Sequence, residues 1–480
     1  MSTTSAGRPP GRPGAVGTAP AAPAATTGRL ARDGVGVPGM IYAVVAVTAP
    51  LTALASNMTL SLALGGGVGT VGVIVLVAVI LCVFAAGFVA MSRQVVNAGA
   101  YFAYIAHGLG ERAGAAAAMV AVVAYNLGAA LMAGFVGFFA DLVLERYLHV
   151  DLPWWAITGV AVALVWGIGY LGLTVSTPVN GWIAISELVL VLALAISVLV
   201  QNPGGWDVGV LAPSTVFGGG FGLAFVLCLL SFTGFEAAAN LGEEAKDARR
   251  SVGRATYAAI LVLAVVFVVG TWAVVAAFDD AVAVAQADPG AMVTVAASTY
   301  LGAWIVPVLL TMITVSFFGA ALAFHNLAAR YLFSLGREGH LPPYLARTHA
   351  RRGTPVPAGT TQVVLSALVL LPFVLAGSDP LVGLGPAIGG VNALAVVALM
   401  VACSASIVVA SVRGLLVGST WALRVCPTIS AVALLGGAGV IVSDYAAITG
   451  TDARAVAAMP FLLVVAVAYG WWAAGRGARS

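Results

Sequence analysis

Ser231-Phe232-Thr233-Gly234-Phe235-Glu236 sets a carboxylate and a glycine inside an otherwise apolar segment. The segment opens at Phe225-Val226-Leu227-Cys228-Leu229-Leu230 and closes on the charged run Glu243-Glu244-Ala245-Lys246-Asp247-Ala248-Arg249-Arg250. A carboxylate buried in such a segment costs several kcal/mol unless it is paired, protonated or beside water. A glycine loosens a helix that alanine would hold by roughly 1 kcal/mol. An expensive residue on a weakened helix points to a substrate or ion site.

The surrounding chain says which solvent that helix sits in. Of 480 residues, 61% are hydrophobic and 8% charged, whereas a soluble domain carries about a quarter charged residues. The composition is that of a polytopic membrane protein, and a net charge of +3 gives no reason to expect a nucleic-acid partner. Twelve apolar stretches stand out, at about 39–62, 68–92, 113–140, 154–175, 181–200, 220–241, 255–278, 302–329, 358–377, 386–412, 427–443 and 455–475. Most reach the ~20 residues that a spanning helix needs, 427–443 being the shortest.

Charge placement orients them. With the N-terminus in the cytoplasm, 19 of the 21 Lys and Arg residues fall on the cytoplasmic side, and only Arg146 and Arg454 fall outside. This is the positive-inside pattern, and it favours an even number of spans with both termini cytoplasmic. Two acids, Glu187 and Glu236, remain within the membrane. The four cysteines, Cys82, Cys228, Cys403 and Cys426, lie in or at the edge of apolar spans without metal-ligand spacing, so no metal site and no cofactor is expected.

Residues 1–37 are rich in Pro, Gly, Ala and Thr and are expected to be a disordered cytoplasmic tail. One membrane domain follows over 38–475, with 476–480 as a cytoplasmic end. Within it the first span is interrupted at Thr48-Ala49-Pro50-Leu51-Thr52-Ala53-Leu54-Ala55-Ser56-Asn57, as the sixth is at Ser231–Glu236. Pro50 removes a helix donor and clashes with the preceding turn. Five spans separate the two breaks, and an odd offset gives the two halves opposite orientation. Repeat one is expected at about 39–201, repeat two at about 220–412, and two further helices at about 427–475. Paired interrupted helices at matching positions are the best sequence pointer to a transporter site.

A broken helix exposes backbone donors at one half-helix end and acceptors at the other. Two such breaks meeting near mid-membrane hold a zwitterion without many charged side chains. Glu236 is a candidate for pairing with a substrate amine, for taking up a proton, or for bonding across the breaks. Glu187 in the fifth span is read either as a helix-packing acid or as a proton relay. Tyr125 lies mid-way along the third span, where its ring would cap a substrate or pack. Thr314 and Ser316 offer hydroxyls to a sodium ion, though such residues also bond helix carbonyls routinely. His325, beside Asn326 and Arg330, is read as a core residue.

Three regions resemble the amino acid–polyamine–organocation superfamily of permeases. They are the sixth-span signature with its charged run; Asn97-Ala98-Gly99-Ala100-Tyr101-Phe102-Ala103-Tyr104 with Gly108-Leu109-Gly110; and Ala329-Arg330-Tyr331-Leu332-Phe333-Ser334-Leu335-Gly336-Arg337-Glu338-Gly339-His340-Leu341-Pro342 with Thr354-Pro355. The resemblance covers roughly 36–475. It implies an all-α LeuT-like fold of two inverted five-helix repeats plus two helices, with helices 1 and 6 broken. It implies secondary transport of amino acids or amines by alternating access. The first break, Ala49-Pro50-Leu51-Thr52-Ala53, would take the substrate carboxylate. The sixth, Ser231 to Glu236, would receive the amine, and Tyr125 matches an aromatic position near the site. The Ala49-Pro50 variant of the first break looks like a branch that includes amine and polyamine importers. Some proton-coupled members use a fifth-helix Lys; the only Lys here is Lys246, in a loop, which excludes that arrangement.

The expectation is therefore an importer in the cytoplasmic membrane, monomeric or homodimeric, driven by protons in preference to sodium. An exchanger fits the same residues. A membrane-embedded enzyme does not, because the two intramembrane acids are 49 positions apart with no histidine cluster beside them.

Overall fold

A computed structural model describes residues 36–95, 101–241, 245, 247–443, 445–446 and 454–477. Residues 1–35 of the expected disordered tail, the motif residues Asn97–Ala100, and Glu243, Glu244 and Lys246 lie outside them. Among the described residues the secondary structure is helical, with no strand, and ten helices are long and apolar enough to cross a bilayer.

Two features explain how those ten relate to the apolar stretches. The helix counted over Val37–Ser92 takes in the first two stretches, and it doubles back where Gly65 (φ 144°) and Gly67 (φ 48°) leave the helical region. The sixth stretch is missing from the ten because it is split. Phe221–Ser231 is helical, residues 232–236 form turns, and Ala237–Asn240 is helical again. Each remaining stretch falls on one long helix.

The first span breaks where the sequence demands it. Val37–Thr48 ends on Ala49, which sits at φ 44° and ψ 72° in the left-handed region. Pro50 then starts a new helical segment from its first position, where a missing N–H costs nothing. The chain runs on through a wide turn at Leu54–Met58.

The third span (Glu111–Val143) and the eighth (Ile305–Arg337) pack along each other through an aromatic seam. Tyr125 stacks on Tyr331 with centroids 4.9 Å apart, and Phe135 and Phe139 lie 4.9 and 5.2 Å from Phe317. Such pairs are worth about 0.5–1.5 kcal/mol each beyond area burial. Gly128 faces the Phe324 ring, which leaves no room there for a larger residue. The fifth span (Leu173–Gln201) shows the opposite polarity of packing. Trp182, Val189, Ile196 and Val200 are 58–73% exposed along one stripe, while Glu187 is buried on another face at 1%. An apolar stripe of this kind is what a helix presents to lipid.

Candidate functional site

The two breaks meet. Gly234 has φ 109°, a conformation that side chains rarely adopt, and a Cβ there would run into the Val47 side chain just before the first break. Asn57 Nδ2 donates to Ser231 Oγ at 3.1 Å, so a second contact joins the two broken spans. The Ser231 hydroxyl donates in turn to the Leu227 carbonyl at 3.0 Å.

Between them lies a cavity of about 170 Å³. The first span supplies Val47, Thr48, Ala49, Thr52, Ala53, Ser56 and Asn57 to its wall, and the sixth supplies Leu227, Leu230, Ser231 and Thr233. The third span adds Leu131, Met132 and Phe135, the eighth Phe317 and Phe324, and the tenth Gly389, Gly390 and Asn392. Of the residues expected to bind substrate, Ala49, Thr52, Ala53, Ser231 and Thr233 thus line the cavity. Pro50, Leu51, Tyr125, Phe232, Gly234, Phe235 and Glu236 stand behind that wall. Phe232 packs edge-on against Phe267 at 5.1 Å and Phe235 against Phe84 at 5.8 Å.

Glu236 is fully buried and has both oxygens occupied. Tyr125 Oη donates to Oε1 at 2.6 Å, and the Gly234 backbone N–H donates to Oε2 at 3.1 Å. The acid therefore ties the unwound turns of the sixth span to the third span. It also satisfies a donor that the broken helix would otherwise leave orphaned.

Glu187 serves the other break. Its Oε2 accepts the Leu51 backbone N–H at 3.2 Å, at the start of the helical segment after Pro50. Its Oε1 has no hydrogen-bond partner among the described residues. Ser316 of the eighth span faces this carboxylate, and its hydroxyl likewise has no partner. Thr314, two residues earlier, turns back to donate to the Leu310 carbonyl at 3.1 Å and does not join the cluster. His325 lies apart. Its Nδ1 bonds Gln362 Oε1, Gln362 donates on to Ser366 Oγ at 2.7 Å, and Gly169 packs against the ring. This chain links the eighth and ninth spans.

Sequence reasoning missed Asn392, Asn57 and the five apolar residues that the third and eighth spans give to the cavity. Asn392 is 6% exposed and its Oδ1 has no partner, which is the mark of a site residue, but only coordinates reveal it.

Comparisons with known proteins agree on architecture. The crystal structure of MhsT in complex with L-phenylalanine superposes with a TM-score of 0.60 at 15% identity, over 86% of this chain and 99% of that one. A manganese transporter from Eremococcus coleocola gives 0.52 at 13%, over 94% and 98%. These likenesses establish a LeuT-type fold. Among curated relatives, mouse Asc-type amino acid transporter 1 is 31% identical over 31% of this chain and 28% of its own length. The low-affinity putrescine importer PlaP of Escherichia coli is 27% identical over 46% and 49%, and the branched-chain amino acid permease BcaP of Bacillus subtilis 24% over 62% and 66%. The chain thus matches between about a quarter and two thirds of the length of these relatives. The family model described as amino acid permease matches residues 36–472, and the chain belongs to the amino acid permease family.

Proposed function

We propose that the protein is a secondary transporter importing amino acids or related amines across the cytoplasmic membrane by alternating access, coupled to protons. The observation that carries this reading is the cavity bounded by two helix breaks that touch each other. Half-helices on either side of a break tilt separately, so a ligand between them can be exposed to each side in turn. The charge distribution supports cytoplasmic termini. The amino acid and putrescine relatives support the substrate range.

Proton coupling rests on Glu187. Its ionised form accepts from Leu51 and fixes the start of the half-helix. The Ser316 hydroxyl facing Oε1 is able to donate to the ionised acid and to accept from the protonated one, so a proton on Oε1 reverses the direction of that contact with the eighth span.

Uptake into proteoliposomes, with pH and sodium gradients imposed separately, tests the reading. Accumulation should follow the pH gradient. Accumulation that follows sodium alone would remove the proton, and uptake that needs substrate preloaded inside would make the protein an exchanger.

A further inference from the structure

We infer that the substrate is a zwitterionic α-amino acid with an apolar side chain, not a diamine and not a basic or acidic amino acid. The inference rests on the transport reading above and adds the substrate class to it.

Among the described residues the cavity wall contains no ionisable side chain. Neither nearby acid is part of the wall: Glu236 bonds Tyr125 and Gly234, and Glu187 bonds Leu51 behind it. A substrate charge must therefore be met by backbone and neutral groups. The first break supplies them for one ammonium. Pro50 has no N–H, and the Leu51 N–H is turned toward Glu187, so the carbonyls of Ala46 and Val47 lose the donors that an unbroken helix would give them. Val47 lines the cavity. The helices Val37–Thr48 and Phe221–Ser231 both end at the cavity, each bringing a partial negative charge of roughly half a unit. Together they balance about one ammonium and no more.

For a carboxylate, the wall offers the Thr233 hydroxyl and the Asn392 amide. The amide is buried and carries an atom with no partner, and its oxygen and nitrogen ends are interchangeable by a flip. The other polar residues of the wall, Thr48, Thr52, Ser56, Asn57 and Ser231, are neutral and sit at the two breaks, while the third and eighth spans present Leu131, Met132, Phe135, Phe317 and Phe324, which offer a second charge no partner. A diamine or a lysine would leave an ammonium there unpaired, and a glutamate a carboxylate. At about 170 Å³ the space lies below the roughly 300 Å³ at which drug-sized pockets begin, so it takes a single small molecule.

The test is competition for uptake by the full-length protein in proteoliposomes, with labelled leucine and phenylalanine against unlabelled putrescine, lysine and glutamate. Leucine or phenylalanine should be carried, and each charged competitor should be weaker by roughly a hundredfold. Putrescine, lysine or glutamate carried as well as leucine overturns the inference and leaves the transport reading standing. A folded protein that moves no amino acid or amine overturns both. The near-isosteric Asn392→Asp adds one charge to the wall and should bring lysine within about tenfold of leucine. Unchanged selectivity in that variant, with uptake intact, places the side-chain pocket elsewhere and also counts against the inference.

Discussion

The first and sixth spans are broken in different ways. In each, a buried carboxylate accepts a backbone N–H freed by the break. At the sixth span the acid is local, with Glu236 two residues from Gly234, and both of its oxygens are bonded. At the first span the acid is borrowed from the fifth span, 136 residues away, and one oxygen is left without a partner. A fully bonded acid gains nothing by changing protonation and acts as a fastener. An acid with one free oxygen beside an unpaired hydroxyl has a second arrangement available at little cost. The contrast is why coupling is proposed for Glu187 and not for Glu236.

The largest expected effect comes from removing the conformational freedom that lets the two breaks touch. Gly234→Ala combines a backbone conformation hostile to Cβ with a collision against Val47. It should cost about 2–5 kcal/mol, read as lost folded protein in a detergent thermal melt. Near-wild-type stability would mean that the breaks can separate freely.

Glu236→Gln comes next. An amide that accepts from Gly234 turns its NH2 toward the Tyr125 oxygen, which accepts it but leaves the tyrosine proton without an acceptor. Leaving that proton unpaired should cost about 1–3 kcal/mol and slow initial uptake by roughly tenfold or more, at every pH, in a protein that still inserts. A loss confined to high or low pH would give Glu236 the coupling role instead.

Glu187→Gln keeps the acceptor for Leu51 and removes the proton. Gradient-free counterflow should stay within about threefold of wild type, while accumulation driven by a pH gradient disappears. Retention of pH-driven accumulation would break the comparison. Thr314→Ala should change stability by less than about 0.5 kcal/mol, because its hydroxyl only bonds its own helix. A marked loss of transport would return Thr314 to the coupling site.

The frame of the molecule was readable from residue types because its signals are local. Pro50 and Gly234 mark the breaks by their own backbone chemistry, and apolar runs mark spans by length. The cavity wall was less readable. In a membrane protein, Leu131 and Phe317 lining a cavity look the same in sequence as Val189 or Ile196 on an outward apolar stripe, since both environments select apolar residues. Thr314 and Ser316 were indistinguishable until helix rotation separated them by two residues, about 200° around the axis. Tyr125 and Glu236 each stood out alone, but the bond between them spans 111 residues and no spacing rule encodes it.

Gly65 and Gly220 carry a kinetic consequence. They lie where the first span doubles back and where the sixth begins, and a Cβ on either would strike the other's backbone. Together with the contact of Gly234 on Val47, this holds the two broken spans backbone to backbone or nearly so at two separate levels. Each contact ties part of the first span to part of the sixth, so the halves tilt in pairs across the two spans. Probes placed on such a pair should therefore relax with a single shared rate when substrate is added, and the energetic effects of enlarging Gly65 and Gly220 should be far from additive.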